Sequence, residues 1–227
     1  MKLVLFDCDG TLVDSAGIIH RCMAQTFTAA GIKAPELHET QEIIGLSLNL
    51  AISQLSGIAM GSEVENLTQA YKDEFTAMRQ QADFDEPLYD GIAELIAELA
   101  TQEDVLLGMV TGKSRRGVHY VMARHGFEKQ FHVSRCADDC PSKPHPAMVL
   151  ECCAEMGCDP SRTFVIGDTT YDMMMACSAG ATAVGVAWGY HSSGRLSDAG
   201  AAAILQHPSD LLAYIKDGSI CSLPANC

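Results

Sequence analysis

The sequence predicts an α/β protein: a parallel sheet covered on both faces by helices, with an all-helical block inserted after the first strand. Three observations carry this. Short apolar runs alternate with helical periodicities between residues 92 and 205, as parallel strands joined by covering helices require. A first apolar run, residues 3–6, stands apart from that alternation, and no convincing strand lies between Asp14 and Asp83. Three of the apolar runs end in Asp, Thr or Gly, at the place where an open α/β sheet binds its ligands, beyond the carboxyl ends of its strands.

Residues 3–6 are apolar on both faces, which suits a buried parallel strand. Over residues 15–30, Ile19, Met23 and Phe27 recur every four positions and mark one helical stripe. Leu48, Ile52 and Leu55 repeat the spacing, and Val64, Leu67, Tyr71, Phe75 and Met78 extend it over a longer run. Three or four consecutive helices are therefore expected. Residues 85–91 carry turn chemistry and read as the return to the sheet. Asp90 is expected to cap a helix whose buried face is Ile92, Leu95, Ile96 and Leu99. A strand at 105–110 follows, then a helix at 114–125 stopped by Gly126, and a weaker strand at 131–134. A helix over 147–156 has Pro146 in its permissive first turn. A strand at 163–166, a helix at 172–179 ended by Gly180, a strand at 181–186, a short helix at 196–199 and a last strand at 202–205 complete the chain. The domains expected are a discontinuous α/β core, 1–14 with 86–227, and a helical cap, 15–85.

With 227 residues the chain can fill one core and a smaller lid, and 48% apolar residues argue against disorder. The net charge is −14 and no Lys/Arg cluster forms a phosphate-backbone track, so nucleic acid is a poor partner. No apolar stretch is long enough for a bilayer. A strand in the first residues leaves no room for an export signal, so a cytoplasmic location is expected. The ten cysteines then read as reduced thiols, with Cys8 and Cys177 in apolar contexts. Cys136, Cys140, Cys152, Cys153 and Cys158 lack the paired spacing of a zinc site. Cys221 and Cys227 fall in a Ser- and Pro-containing tail.

The chemistry gathers at four stations. Phe6 runs into Asp7-Cys8-Asp9-Gly10-Thr11, Val110 into Thr111-Gly112-Lys113, and Ile166 into Gly167-Asp168-Thr169-Thr170-Tyr171-Asp172, while Lys143-Pro144 lies between the last two. Carboxylates at a buried strand end need a partner or a metal, which points to a metal-assisted reaction.

These four motifs, in this order and at these separations, resemble the haloacid dehalogenase superfamily over essentially the whole chain. The helical insert after the first station resembles the phosphoglycolate phosphatase-like branch. So do the stretches 185–191 and 208–212. The resemblance implies a Rossmann-like core with an inserted helical cap. It implies Asp7 as a nucleophile that forms an aspartyl-phosphate, and Asp9 as the acid and base that serves the leaving group and then water. It implies Mg2+ held by Asp7, Asp168 and the Asp9 backbone carbonyl, with Asp172 a ligand directly or through water. Thr111 and Gly112 are expected on the non-reacting phosphate oxygens, and Lys143 as a second positive charge bridging phosphate and Asp7. Gly10 is expected to permit the tight exit after Asp9, Thr11 and Ser15 to support or cap, and Lys113 to face either the site or solvent. Cys8 is expected to point into the core.

In the cap, Ser15, Ile19, Arg21, Gly45, Leu46 and Ser47 are candidates to face the pocket, with Leu46 and Ser47 in the loop expected to meet the leaving group. The activity expected is Mg2+-dependent hydrolysis of a small phosphorylated metabolite, phosphoglycolate first, by a monomer or homodimer. A sugar-phosphate mutase, a pyrophosphatase and a non-catalytic phosphate-binding module are the alternatives.

Overall fold

The computed structural model describes residues 1–81 and 84–217; Cys221 and Cys227 lie outside them. Strand β1 (Lys2–Phe6) is followed by four helices, α1 (Ala16–Ala29), α2 (Leu37–Ile43), α3 (Leu48–Ser56) and α4 (Ser62–Met78). Helix α5 (Ile92–Leu99) then opens an alternating series: β2 (Val105–Val110), α6 (Arg115–His125), β3 (Phe131–Arg135), α7 (Ala147–Met156), β4 (Thr163–Gly167), α8 (Thr170–Ala179), β5 (Thr182–Val186), α9 (Ser193–Asp198), β6 (Ala203–Leu205) and α10 (Asp210–Asp217). The strands form one sheet in the order β3-β2-β1-β4-β5-β6, every neighbouring pair parallel. From β1 the chain steps outward through β2 and β3, then crosses to the other side for β4, β5 and β6. The crevice at that switch lies between β1 and β4.

Alternation along β1 divides the core. Val4 and Phe6 pack in the layer with Ile92, Leu95, Ile96, Leu99, Val118 and Leu211, whereas Leu3 and Leu5 pack with Met148, Val149, Met173 and Ala176. Helices α5, α6 and α10 therefore cover one face, and α7 and α8 the other. Three of the inserted helices, α1, α3 and α4, hold a cluster of their own, built on Met23, Phe27, Ile52, Val64, Leu67, Tyr71 and Met78, whereas Ile43 of α2 packs with Ala16, Ile44 and Ala51 against Tyr190 of the core. The two chain crossings between this block and the sheet lie side by side. Val13 and Leu88 form an antiparallel bridge, Asp14 N donates to the Pro87 carbonyl at 2.8 Å, and Tyr89 N to the Leu12 carbonyl at 3.0 Å.

Two local expectations change, at Asp90 and Cys177. Asp90 does not cap α5: the residue at that position is Gly91 at φ +84°, in a turn closed by Ile92 N to the Tyr89 carbonyl at 3.1 Å. Only a residue tolerant of positive φ ends that turn, so Asp90 moves one place out. Helix α2 has a Glu36/Glu39 capping box in place of a Ser or Thr cap. Cys177 is exposed, although Cys8, Cys22, Cys136, Cys140, Cys152 and Cys153 are buried free thiols. Cys8 has no exposure and packs in the layer with Phe6.

Candidate active site

Asp7 follows β1 and Asp168 follows β4, so the switch crevice brings them together. One Asp7 oxygen, Oδ1, accepts from Cys8 N at 2.6 Å and from the Lys143 ammonium at 2.9 Å. The other, Oδ2, is buried with no hydrogen-bond partner. Burial pushes the Asp7 carboxyl up to about 7; Lys143 opposes this and the Asp172 carboxylate adds to it.

Asp172 sits in the first turn of α8. Its Oδ1 takes the Lys143 ammonium at 2.6 Å, and its Oδ2 takes Thr169 Oγ1 at 2.6 Å and Thr169 N at 3.1 Å. Thr169 and Asp172 thus form a reciprocal cap on α8, and the same helix start that satisfies the backbone aims a carboxylate at Lys143. Burial works against the Lys143 charge, but Asp172 and Asp7 outweigh it and leave the ammonium raised above its ordinary value.

Asp168 has no exposure. Thr11 Oγ1 donates to its Oδ1 at 2.9 Å and Tyr190 N to its Oδ2 at 2.9 Å. Burial, with the Asp172 and Asp7 charges, holds its carboxyl well above the usual range. Gly10, at φ +84°, lies so close that a Cβ there would overlap the Asp168 carboxylate.

Ligand oxygens of Asp7, Asp168 and Asp172 all lie within 4.8 Å of one another, and among the described residues this is the one such grouping of His, Cys, Asp or Glu. The set fits a hard divalent cation. Its donors are all oxygen, and Lys143 pairs with only two of the three buried acids, Asp7 and Asp172.

Asp9 faces a different space. It lines a cavity of about 640 Å3 between the sheet ends and the helical block, together with Ile19, Gly45, Leu46, Ser47, Gly112 and Lys113. Its Oδ1 accepts from Ser15 Oγ at 2.6 Å and from the Lys113 ammonium at 2.6 Å. Thr111 is buried behind it and its Oγ1 accepts from Lys113 N at 3.2 Å. Gly112 lies under the 45–47 loop; a Cβ there would meet the Gly45 and Leu46 carbonyl oxygens at 2.5 and 2.6 Å. Ser47 N donates to Ser142 Oγ at 2.8 Å, so the loop is seated on the core.

Of the cap residues expected to face the pocket, Ile19, Gly45, Leu46 and Ser47 line the cavity. Ser15 bonds to Asp9 instead, and Arg21 donates to Gln81 at 3.5 Å. Lys113 faces the site: its side chain is 8% exposed and its ammonium pairs with Asp9 and Glu86. Two further residues of the site carry no sequence signal: Tyr190 supplies its backbone N–H to Asp168, which no side-chain pattern announces, and Glu86 lies in a turn-forming stretch.

A second contact joins helical block and core at the far rim. Arg195 of α9 grips Glu42 of α2 through two hydrogen bonds, 2.6 and 2.8 Å, and Tyr171 donates to the Glu42 carbonyl at 3.1 Å. The Arg195 hydrogen bond holds the Glu42 carboxyl below its usual range. No helix among the described residues is long and apolar enough to cross a membrane.

Known proteins share this architecture. The chain is 31% identical over 224 residues to an N-acetylmuramic acid 6-phosphate phosphatase of Pseudomonas aeruginosa, with 97% of each chain covered. It is 28% identical to a phosphoglycolate phosphatase of Mannheimia succiniciproducens, covering 94% of this chain and 98% of that one. A crystal structure of a haloacid dehalogenase-like hydrolase from Bacteroides fragilis superposes with a TM-score of 0.85 at 22% identity, over 92% of this chain and 99% of that one. The family model described as haloacid dehalogenase-like hydrolase matches residues 4–186, and the chain belongs to that family.

Proposed function

We propose that the chain is a Mg2+-dependent phosphomonoester hydrolase that works through an aspartyl-phosphate on Asp7. The observation that carries this is the state of Asp7: one oxygen is pinned by Cys8 N and Lys143, the other is buried without a partner. A carboxylate fixed on one side and free on the other is set to attack.

Asp7 forms a bond to phosphorus as the ester P–O bond breaks, and the departing alkoxide takes a proton from Asp9. Asp9, now a carboxylate, takes a proton from water, whose oxygen attacks the same phosphorus. The acyl-phosphate bond breaks and returns Asp7 and inorganic phosphate. Lys143 neutralises charge on the phosphoryl oxygens, and the Gly112 N–H and Thr111 hydroxyl bind the oxygens that do not react. Asp7, Asp168 and the Asp9 carbonyl would hold Mg2+, which supplies positive charge to the transferring group. Asp172 has both oxygens engaged by Lys143 and Thr169, which favours contact with the cation through water. Loss of one such electrostatic donor costs about 2.7–4 kcal/mol of barrier, so Lys143→Ala is expected to lower kcat by ~100–1000-fold.

The cavity argues for a leaving group larger than glycolate. Its volume of about 640 Å3 lies in the range of whole metabolite pockets, and one relative is named for a phosphorylated amino sugar acid. A sugar-sized phosphomonoester is the first reading. Phosphoglycolate, named in another relative, is the second. Phosphate release with Mg2+ from N-acetylmuramic acid 6-phosphate, 2-phosphoglycolate, glucose 6-phosphate and pyrophosphate, compared as kcat/KM, decides between them. Asp7→Asn is expected to abolish turnover of the best substrate, by more than ~1000-fold. Full activity in that variant would sink the assignment. Phosphate binding without turnover in the unmodified protein would favour a binding module.

A further inference from the structure

Lys113 has no part in the chemistry above, yet the fold spends several residues on it. Its side chain is 8% exposed, and its ammonium lies 2.6 Å from Asp9 Oδ1 and 2.8 Å from Glu86 Oε1. Glu86 arrives from the returning chain crossing, with a side chain at 0% exposure. Its Oε2 makes no hydrogen bond, and the Arg79 guanidinium of the helical block approaches it at 4.0 Å. The Glu86 carbonyl oxygen is in turn 3.0 Å from His125 Nε2. Burying ions costs several kcal/mol each before their attraction offsets it, so a row of this kind is weak evidence for stability and invites a functional reason.

Gly117 supplies an independent sign that the lysine is seated deliberately. It lies inside α6, where glycine is less favourable than alanine by about 1 kcal/mol. A Cβ at that position would stand 2.6 Å from Lys113 Cγ and 3.1 Å from its Cδ. The helix gives up a side chain along the path of the lysine stem.

What the lysine grips is the oxygen that Ser15 grips as well. Two donors on Oδ1 fix the plane of the Asp9 carboxyl group and leave Oδ2 for the reaction. We propose that Lys113, anchored by Glu86 and seated by Gly117, is a positioning residue for Asp9 that turns Oδ2 toward the leaving-group oxygen. Glu86 is the second anchor: without it a flexible ammonium would follow the phosphate dianion and let Asp9 turn. This rests on the reading of Asp9 as the proton donor.

The test is the dependence of kcat/KM on leaving-group acidity, from 4-nitrophenyl phosphate to phenyl phosphate, at saturating Mg2+. A poor leaving group needs the proton, whereas a good one departs nearly unaided. Lys113→Met, Glu86→Gln and Gly117→Ala are each expected to lose no more than ~3-fold on 4-nitrophenyl phosphate and ~10–100-fold on phenyl phosphate, a part of what a positioned acid contributes. Asp9→Asn sets the limit of full steepening. Equal losses on both esters in all three variants would overturn the inference and leave the hydrolase reading standing. An unchanged dependence in Asp9→Asn would overturn the role of Asp9 itself. Gly117→Ala keeps the question open to decision if the charge variants fail to fold, because alanine favours the helix it enters.

Discussion

Asp7 and Asp168 are acids whose protonated forms are favoured by burial. Burial raises Asp7 to about 7 and Asp168 well above its ordinary range, against about 3.9 for an unfolded chain. The native state then binds more protons than the unfolded state between those limits. The metal-free protein is therefore most stable below about pH 4 as far as these groups decide, and loses stability as pH rises toward 7. Adding Mg2+ near neutral pH is expected to raise Tm and to release protons into a weakly buffered solution. Thermal unfolding at pH 5 and pH 7, with Mg2+ and with a chelator, checks both signs. A Tm rise that is larger at pH 5 than at pH 7 would contradict the assignment of these carboxylates to the cation. At this scale the sequence was legible where a side chain ends a buried strand, as Asp7 and Asp168 do. It left Lys113 between the site and solvent because its partners Asp9 and Glu86 lie elsewhere in the chain, and pairing across such separations leaves no local pattern.

Among the elements, helices with a wide apolar stripe were readable and those without one were not. Helix α4 shows its buried Val64, Leu67, Tyr71 and Met78 at helical spacing. Helix α2 is seven residues long and buries only Thr40 and Ile43; its start depends on a Glu36 cap, outside the residues that usually signal one. That inconspicuous helix carries Glu42, the cap side of the rim contact to Arg195. Both side chains are nearly half exposed, so the pair contributes little to global stability, less than about 1 kcal/mol. Its effect belongs to the seating of α2. Arg195→Ala is expected to leave Tm within ~2 °C. Amide exchange in α2 is expected to speed up, as in a segment that opens locally. An unchanged exchange rate in α2 would show that the remaining contacts, Tyr171 on the Glu42 carbonyl and the 45–47 loop on the core, seat it without the ion pair.

On the scale of the whole molecule, the sheet and most of the helical block bury separate clusters of side chains, with a smaller cluster where Ile43, Ile44 and Ala51 meet Tyr190. We treat the block as the cap that selects the leaving group, and its boundaries near residues 15 and 85 as those of a unit with its own stability. Phe27, with no exposure, sits inside that cluster alone. Phe27→Ala is expected to cost about 3–5 kcal/mol, felt as lost exchange protection in α1, α3 and α4 while β1, β2 and β4 keep theirs. Uniform loss across all strands would mean that the two clusters unfold as one. The parallel core was legible because strands and helices alternate along the chain; the seating of the cap was not, because it depends on backbone contacts such as the Gly45 and Leu46 carbonyls over Gly112. The antiparallel bridge between Val13 and Leu88 gives this architecture a further property. Because entry and exit are hydrogen-bonded neighbours, the chain enters and leaves the insert at one place, and a short hairpin turn there would join the same two crossings. Such a joint lets lineages exchange one insert for another, so that recognition can be rewritten while the catalytic floor is inherited unchanged.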